Sequence, residues 1–133
     1  MIHIGEGTSS TIISKGISAG NSKNAYRGLV RMARTAKNAR NFTQCDSLLL
    51  GSDCSAQTYP YIENKNSSSK IEHEASTSKI SDEQLFYLRS RGVEGDKASA
   101  LLLKGAFKEI IDKLPPLARR WNPLHSIFEG YLR

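Results

Sequence analysis

The chain has 133 residues, 38% of them hydrophobic, and a formal net charge of +6, which fits one domain with a modest core and excludes disorder throughout. No run of about 18 apolar residues occurs, so no membrane span is predicted, and residues 1–6 predict no secretory signal. Cys45 and Cys54 are too few for a disulfide-rich scaffold and are expected to stay reduced in an intracellular compartment.

The basic excess lies in the first third of the chain. Residues 1–45 contain seven basic side chains and one acid, whereas residues 46–133 contain twelve of each. A basic face suits an anionic partner, so a small nucleic-acid-binding module that uses Lys23 to Arg40 is one functional hypothesis. Only Tyr26 and Phe42 lie near these charges, which makes this hypothesis the weaker alternative, and a solvated rim explains the charges equally well.

Residues 1–80 predict short strands. Residues 1–81 contain twenty serines and threonines, and residues 82–133 contain three serines and no threonine. Runs of β-branched and aromatic residues between Gly, Asn and Ser clusters predict strands at 11–14, 47–50, 59–62 and 70–74. Lys15-Gly16 is expected to end the first of them.

Residues 23–40 are locally ambiguous. Arg27, Arg31 and Arg34 follow helical spacing, and Leu29 and Met32 would lie on the other face of a helix. Gly28 and the strand-like flanking segments favour a strand and a turn instead. Local pattern alone leaves both interpretations open.

The last third predicts helices. Ser81 and Gln84 have the spacing of a capping box, so a helix is expected from there to about Arg91, with Gly92 as its C-terminal stop. A second helix is predicted from about Asp96 to Pro115. It carries an apolar stripe expected to be buried, with Lys104 and Lys108 exposed; the stripe consists of Leu103, Phe107, Ile110 and Leu114.

Glu72-His73-Glu74 is the densest group of metal-ligating residues. In a strand the two glutamates share one face and His73 takes the other. Thr77 stands where a HExxH metalloprotease needs its second histidine, so that enzyme class is excluded. Cys45 and Cys54 have no zinc spacing, and Cys54 is expected to be structural.

Five stretches together resemble the SufB branch of the SufB/SufD family of iron–sulfur cluster assembly scaffolds. They are IHIGEGTSSTIISKGISAGNSKNAYRGLVRM, ARNFTQCDSLLLG, TYPYIE, KIEHEASTSKI and DEQLFYLRSRG. The resemblance implies a mainly β fold, with residues 1–80 as the C-terminal coils of a right-handed parallel β-helix. Residues 81–133 would form a small helical domain whose tail, from about 117, departs from the family.

The resemblance also implies a function without catalysis. The chain would accept sulfur and help to hold a transient, nascent iron–sulfur cluster, and the isolated chain need retain none. The implied partners are a SufC-like ATPase, a SufD-like subunit and a cysteine desulfurase with its carrier, of SufS/SufE or SufU type. The implied compartment is a bacterial cytoplasm or a plastid stroma. Open strand edges predict self-association as well.

By position, Cys45 matches the family cysteine implicated in sulfur acceptance, and Glu74 and His73 match a pair proposed as ligands. The separation of 29 residues between Cys45 and Glu74 is close to one coil, so these two are expected to face the same way, with His73 opposite. The expected order of importance as ligands is Cys45, Glu74, His73. Arg40 is expected to lower the pKa of the thiol.

Overall fold

The computed structural model describes residues 1–120 and contains six strands and three helices in that range. The strands come first in the chain and the helices follow, which confirms the predicted fold class. The strands are β1 Ile2–His3, β2 Ser9–Ala19, β3 Lys23–Met32, β4 Arg40–Leu50, β5 Ser55–Asn64 and β6 Lys70–Lys79, and the helices are α1 Asp82–Ser90, α2 Gly95–Lys113 and α3 Pro116–Arg120.

The strands form two parallel sheets that the chain visits in turn. Odd-numbered strands form one sheet in the order β1-β3-β5, and even-numbered strands form the other in the order β2-β4-β6. Each pass through one strand of each sheet completes a coil. Between β4 and β6 the register advances by 30 residues, since Arg40 pairs with Lys70. This winding is that of a parallel β-helix.

Side chains alternate between the interior and the outside along each strand. The interior of the coils is filled at one end by Val30, Met32, Ala36 and Ala39, against which Ile12 and Ile71 pack. Buried polar side chains are also present, and they are hydrogen-bonded, as interior polar groups must be. His3, for example, contacts the hydroxyls of Thr8 and Ser10, each at 2.7 Å.

Residues 23–40 form strand β3 and a turn, not a helix. Pairing of Lys23–Met32 with β5 over ten residues supplies main-chain hydrogen bonds that outweigh local helical spacing. The expected turn at Lys15-Gly16 is wrong for the same reason, because Gly16 lies inside β2 and pairs with Ser47. Pro60 is accommodated within β5 because β5 is the edge strand of its sheet.

The chain divides into two compact units, residues 1–79 and 80–133. In the second unit the Ser81 hydroxyl accepts from the Gln84 amide, and the Gln84 side chain accepts from the Ser81 amide, which confirms the capping box. Leu103 is buried, and Lys104 and Lys108 are exposed as expected. The rest of the stripe is half-buried, so the stripe is buried only in part.

Within residues 1–120 no helix combines the length and the apolar character needed to cross a membrane. Residue 117, where the tail is expected to depart from the family, lies within α3, and residues 121–133 lie outside the described part of the chain.

Candidate functional site

Strand β4 places Cys45 in the interior of the coils. Asn41, Thr43 and Cys45 occupy alternate positions of β4, and all three are buried. Cys45 is only 3% exposed, and it lies on the central strand of its sheet, so both neighbouring coils cover it. A small apolar side chain is what this position requires, and cysteine supplies one that is also a potential ligand.

Strand β6 brings His73 to Cys45. His73 pairs in register with Thr43, and paired residues of parallel strands direct their side chains to the same face. His73 is therefore on the interior side with Thr43 and Cys45. Its Nε2 atom lies 3.7 Å from the Cys45 sulfur. The structure thus assembles a thiol and an imidazole from adjacent coils.

Glu74 lies on the opposite face, so the expectation that it shares a side with Cys45 is wrong. The coil advances by 30 residues here, and Cys45 pairs with Ala75. Glu74, one residue earlier, pairs with Gln44 and is exposed on the outer face. A difference of one residue between the assumed and the actual coil length exchanges the two faces.

The expected alternation within Glu72-His73-Glu74 is confirmed. Glu72 is on the outer face, where it pairs with Lys70 at 2.7 Å and with Arg40 at 3.6 Å. The Lys70 ammonium, followed by Arg40, lowers the pKa of the Glu72 carboxyl. Arg40 is thus engaged outside the coil.

The expected lowering of the thiol pKa is also wrong. Burial raises the pKa of Cys45, and the neighbouring carboxylate of Asp46 raises it further, whereas a hydrogen bond from the Tyr26 hydroxyl partly opposes both. Cys45 is therefore a protonated thiol at neutral pH. Because only the thiolate is a strong nucleophile or ligand, binding of a metal at Cys45 must release a proton.

Tyr26 is the residue of this site that sequence reasoning missed. It lies on β3 in the same alternation as the buried Val30 and Met32, and therefore on the interior face. That phase is visible in the sequence once residues 23–32 are taken as a strand. Because the sequence left helix and strand open for these residues, the interior position of Tyr26 was not predicted.

Two potential ligands are fewer than a cluster requires. The described residues contain no group of three or more His, Cys, Asp and Glu side chains able to hold a metal. Iron–sulfur clusters are usually held by four protein ligands, most of them thiolates. Cys45 and His73 could therefore supply at most two of the donors that such a cluster needs.

Cys54 lies apart from this pair. It is buried, and its sulfur is 3.8 Å from the Gly51 carbonyl oxygen in the turn before β5. Both cysteines are free thiols. A structural role for Cys54 remains a prediction.

The basic residues of β3 lie on the outer face of the other sheet. Arg27 stacks over the ring of Tyr59, 5.4 Å from its centroid, and Arg31 forms an ion pair with Glu63. The exposed Tyr61 lies in the same cross-strand row as Leu29. Aromatic residues absent from the local sequence are therefore brought beside the charges by strand pairing.

Comparison with known proteins places the chain in the same family that its sequence motifs resemble. The chain is 55% identical over 115 residues to an iron–sulfur cluster assembly SufBD family protein of Synechocystis, slr0074, and 53% identical to the chloroplastic protein ABCI8 of Arabidopsis thaliana. Each match covers 86% of this chain but only 24% and 21% of those relatives, so the chain spans about a quarter of their length.

A SufBD family protein of Galdieria sulphuraria, ycf24, is 55% identical over the same length, which is 52% of that relative. The family description "SUF system FeS cluster assembly, SufBD core domain" matches residues 1–106, a range that includes all six strands and both potential ligands. The coiled parallel sheets and these matches together establish that the chain belongs to the SufBD core domain family of iron–sulfur cluster assembly.

Proposed function

We propose that this chain serves as a SufB-like scaffold, without catalytic activity of its own, that accepts sulfur and helps to hold a nascent iron–sulfur cluster. The observation that carries the proposal is the 3.7 Å contact between the Cys45 sulfur and His73 Nε2. A thiolate is a soft ligand for iron and sulfide, and an imidazole is a borderline one that exchanges more readily. Such a pair suits a cluster that must later leave.

The proposed partners follow from the shortage of donors. Cys45 and His73 leave part of a cluster unligated, which a SufD-like subunit would complete. A SufC-like ATPase would drive the conformational work, and a cysteine desulfurase with its SufE- or SufU-type carrier would deliver sulfur as persulfide. Relatives from a cyanobacterium and a chloroplast support a bacterial cytoplasm or a plastid stroma as the compartment.

The test is cluster formation in a complex rebuilt with SufC-like and SufD-like subunits, followed by visible absorbance and by mass spectrometry of Cys45 persulfide. Cys45→Ala is expected to abolish both signals. His73→Ala is expected to leave the persulfide and to reduce the cluster about tenfold, as loss of a ligand or its support does. Cys54→Ala is the matched control and should retain both signals.

Glu74 provides the decisive comparison. The family resemblance makes Glu74 a ligand, whereas the strand register directs it away from Cys45. From the register we expect Glu74→Gln to reduce the cluster less than His73→Ala does. The proposal fails if Cys45→Ala loads a full cluster, and the pairing of Cys45 with His73 fails if the order of the other two variants is reversed.

Binding of single-stranded nucleic acid is the second candidate, favoured by Arg27 and the tyrosines beside it on the outer face. Exposed aromatic rings next to a cation are the elements of a stacking platform. The ion pair of Arg31 with Glu63 weighs against it, because it neutralises part of the charge. Salt-dependent binding of an oligonucleotide that is lost in Arg27→Ala would establish this function.

A further inference from the structure

A small cavity lies between the two sheets beside the proposed ligands. Its volume is about 10 Å³, enough for about one water molecule. Residues of both sheets line it, among them Tyr26, Gly28, Ile62 and His73. Ile62 is 48% exposed, so this cavity borders the open end of the last coil.

Cys45 does not line the cavity, although two of the lining side chains lie beside its sulfur. His73 Nε2 is 3.7 Å away, and the Tyr26 hydroxyl is close enough to lower the pKa of the thiol. The sulfur therefore lies behind these two side chains. A reagent that enters through the cavity must pass between Tyr26 and His73 to reach it.

The ring of Tyr26 occupies space that Gly28 leaves empty. The two residues are on the same face of β3, and a Cβ atom added at Gly28 would lie only 2.7 Å from Tyr26 Cε1. Gly28 has extended backbone, so the glycine is needed here for space rather than for its backbone conformation. The ring is thus folded along its own strand, across the approach to Cys45.

We propose that Tyr26 is the positioning and specificity-determining residue of the Cys45–His73 pair: folded over Gly28 and lining the same cavity as His73, it limits access to Cys45 by size. A single sulfur or iron atom is the class of ligand that the space admits, and a cluster of several atoms requires the ring to move away. This inference rests on the proposed function only for the identity of the ligand. Whether Tyr26 covers the sulfur can be tested without knowing the ligand.

The experiment measures alkylation of the full 133-residue chain by two reagents of different size, iodoacetamide and fluorescein-5-maleimide, with the rate at each cysteine determined by peptide mass spectrometry. Cys54 is the internal reference, because it is buried in the same unit and its sulfur lies beside the Gly51 carbonyl. General loosening of the fold raises both rates. Removal of the cover raises only the rate at Cys45.

Tyr26→Ala is expected to raise the maleimide rate at Cys45 at least about tenfold relative to Cys54. The bulky reagent can then reach the sulfur without prior local opening of the fold. Tyr26→Phe keeps the ring over Gly28 and removes a hydroxyl that lowers the pKa of the thiol, so the maleimide rate at Cys45 should not rise. Gly28→Ala keeps the hydroxyl but displaces the ring, and should resemble Tyr26→Ala. Tyr61→Phe, on the outer face of β5, is the matched control and should change nothing.

Unchanged Cys45 rates in Tyr26→Ala, or equal rises at Cys45 and Cys54, would overturn the inference. Failure of the proposed function looks different. In that case the wild-type complex forms no persulfide or cluster, while the order of alkylation rates among the Tyr26 and Gly28 variants is still observed.

Discussion

Asp46 shows how one residue beside Cys45 stabilises the sheet that carries the site. Its carboxylate accepts hydrogen bonds from Lys15 of β2 at 2.8 Å, from Gln44 of β4 at 2.8 Å and from Ser76 of β6 at 2.6 Å. One side chain therefore joins all three strands. The Lys15 contact is the main reason why the pKa of Asp46 is lowered.

We expect Asp46→Asn to reduce the free energy of unfolding by about 1–2 kcal/mol at pH 7, the range for a hydrogen bond to a charged group at a partly exposed site. The folded-state pKa lies below the unfolded value of about 3.9. The stabilisation is therefore complete at neutral pH and is lost as pH falls through the folded-state pKa.

Urea denaturation at pH 7 and at about pH 2 measures this effect, and the difference between wild type and variant should vanish at the lower pH. Asp53→Asn is the control, since Asp53 is exposed and its carboxylate accepts a hydrogen bond from the adjacent Ser52 hydroxyl. A difference that persists undiminished in acid would show that shape, not charge, stabilises this position.

The proposed ligands show what can be predicted at this scale. The family resemblance singled out Cys45, and strand alternation placed His73 opposite the two glutamates. They were not enough to decide which face of β6 meets Cys45, because that depends on the number of residues in a whole coil. Coil length is set by turn geometry, and local sequence does not encode it.

At the scale of elements, the end of α1 depends on one backbone conformation. Gly92 has φ +83°, its amide donates to the Arg89 carbonyl, and the Val93 amide donates to the Leu88 carbonyl. These two bonds form a Schellman motif, which satisfies carbonyls at the helix end. Glycine adopts this left-handed conformation without steric cost.

Gly92→Ala is therefore expected to destabilise the helical unit by about 1–2 kcal/mol. Gly105→Ala is the matched control. Gly105 lies inside α2 with open space around it, so the same substitution there should stabilise by about 0.5–1 kcal/mol. Thermal melting followed by circular dichroism separates the two, and shifts of the same sign in both variants would contradict this account.

The elements differ in how well sequence predicts them. The capping box and Gly92 act through neighbours in the chain, so the bounds of α1 were predictable to within about a residue. Strand β3 was ambiguous because its partners, β1 and β5, come from distant parts of the sequence. Gly28 counted against a helix in the sequence, but only the structure shows that it makes room for the Tyr26 ring.

At the scale of the whole molecule, the two sheets have open edges. Among the described strands, β5 pairs only with β3, and its exposed side chains include Tyr61 and Ile62. Unpaired edges of this kind are templates for pairing with another chain.

We expect the isolated chain to sediment as a species larger than its 14.7 kDa mass, with a melting temperature that rises with protein concentration. Tyr61→Lys, a charge on the edge strand, should shift the distribution towards monomer. A strictly monomeric sample with a sharp, concentration-independent melt would contradict the prediction.

The coiled topology itself was not deducible from periodicity. Alternation indicated strands, and composition indicated where they give way to helices. The winding of consecutive strands into two alternating parallel sheets was implied only by the family resemblance, because pairing across about 30 residues leaves no local signal.

The two proposed ligands lie on strands that differ in their number of hydrogen-bonded neighbours. Cys45 is on β4, which has a hydrogen-bonded neighbour on either side, whereas His73 is on β6, which pairs with one strand among those described. Fraying of a coiled fold starts at its last turn, so the imidazole is released before the thiol is disturbed. The Cys45–His73 contact therefore lasts only as long as the coil that contains β6 stays folded. A strand or a partner that pairs with β6 would prolong the contact without touching either ligand.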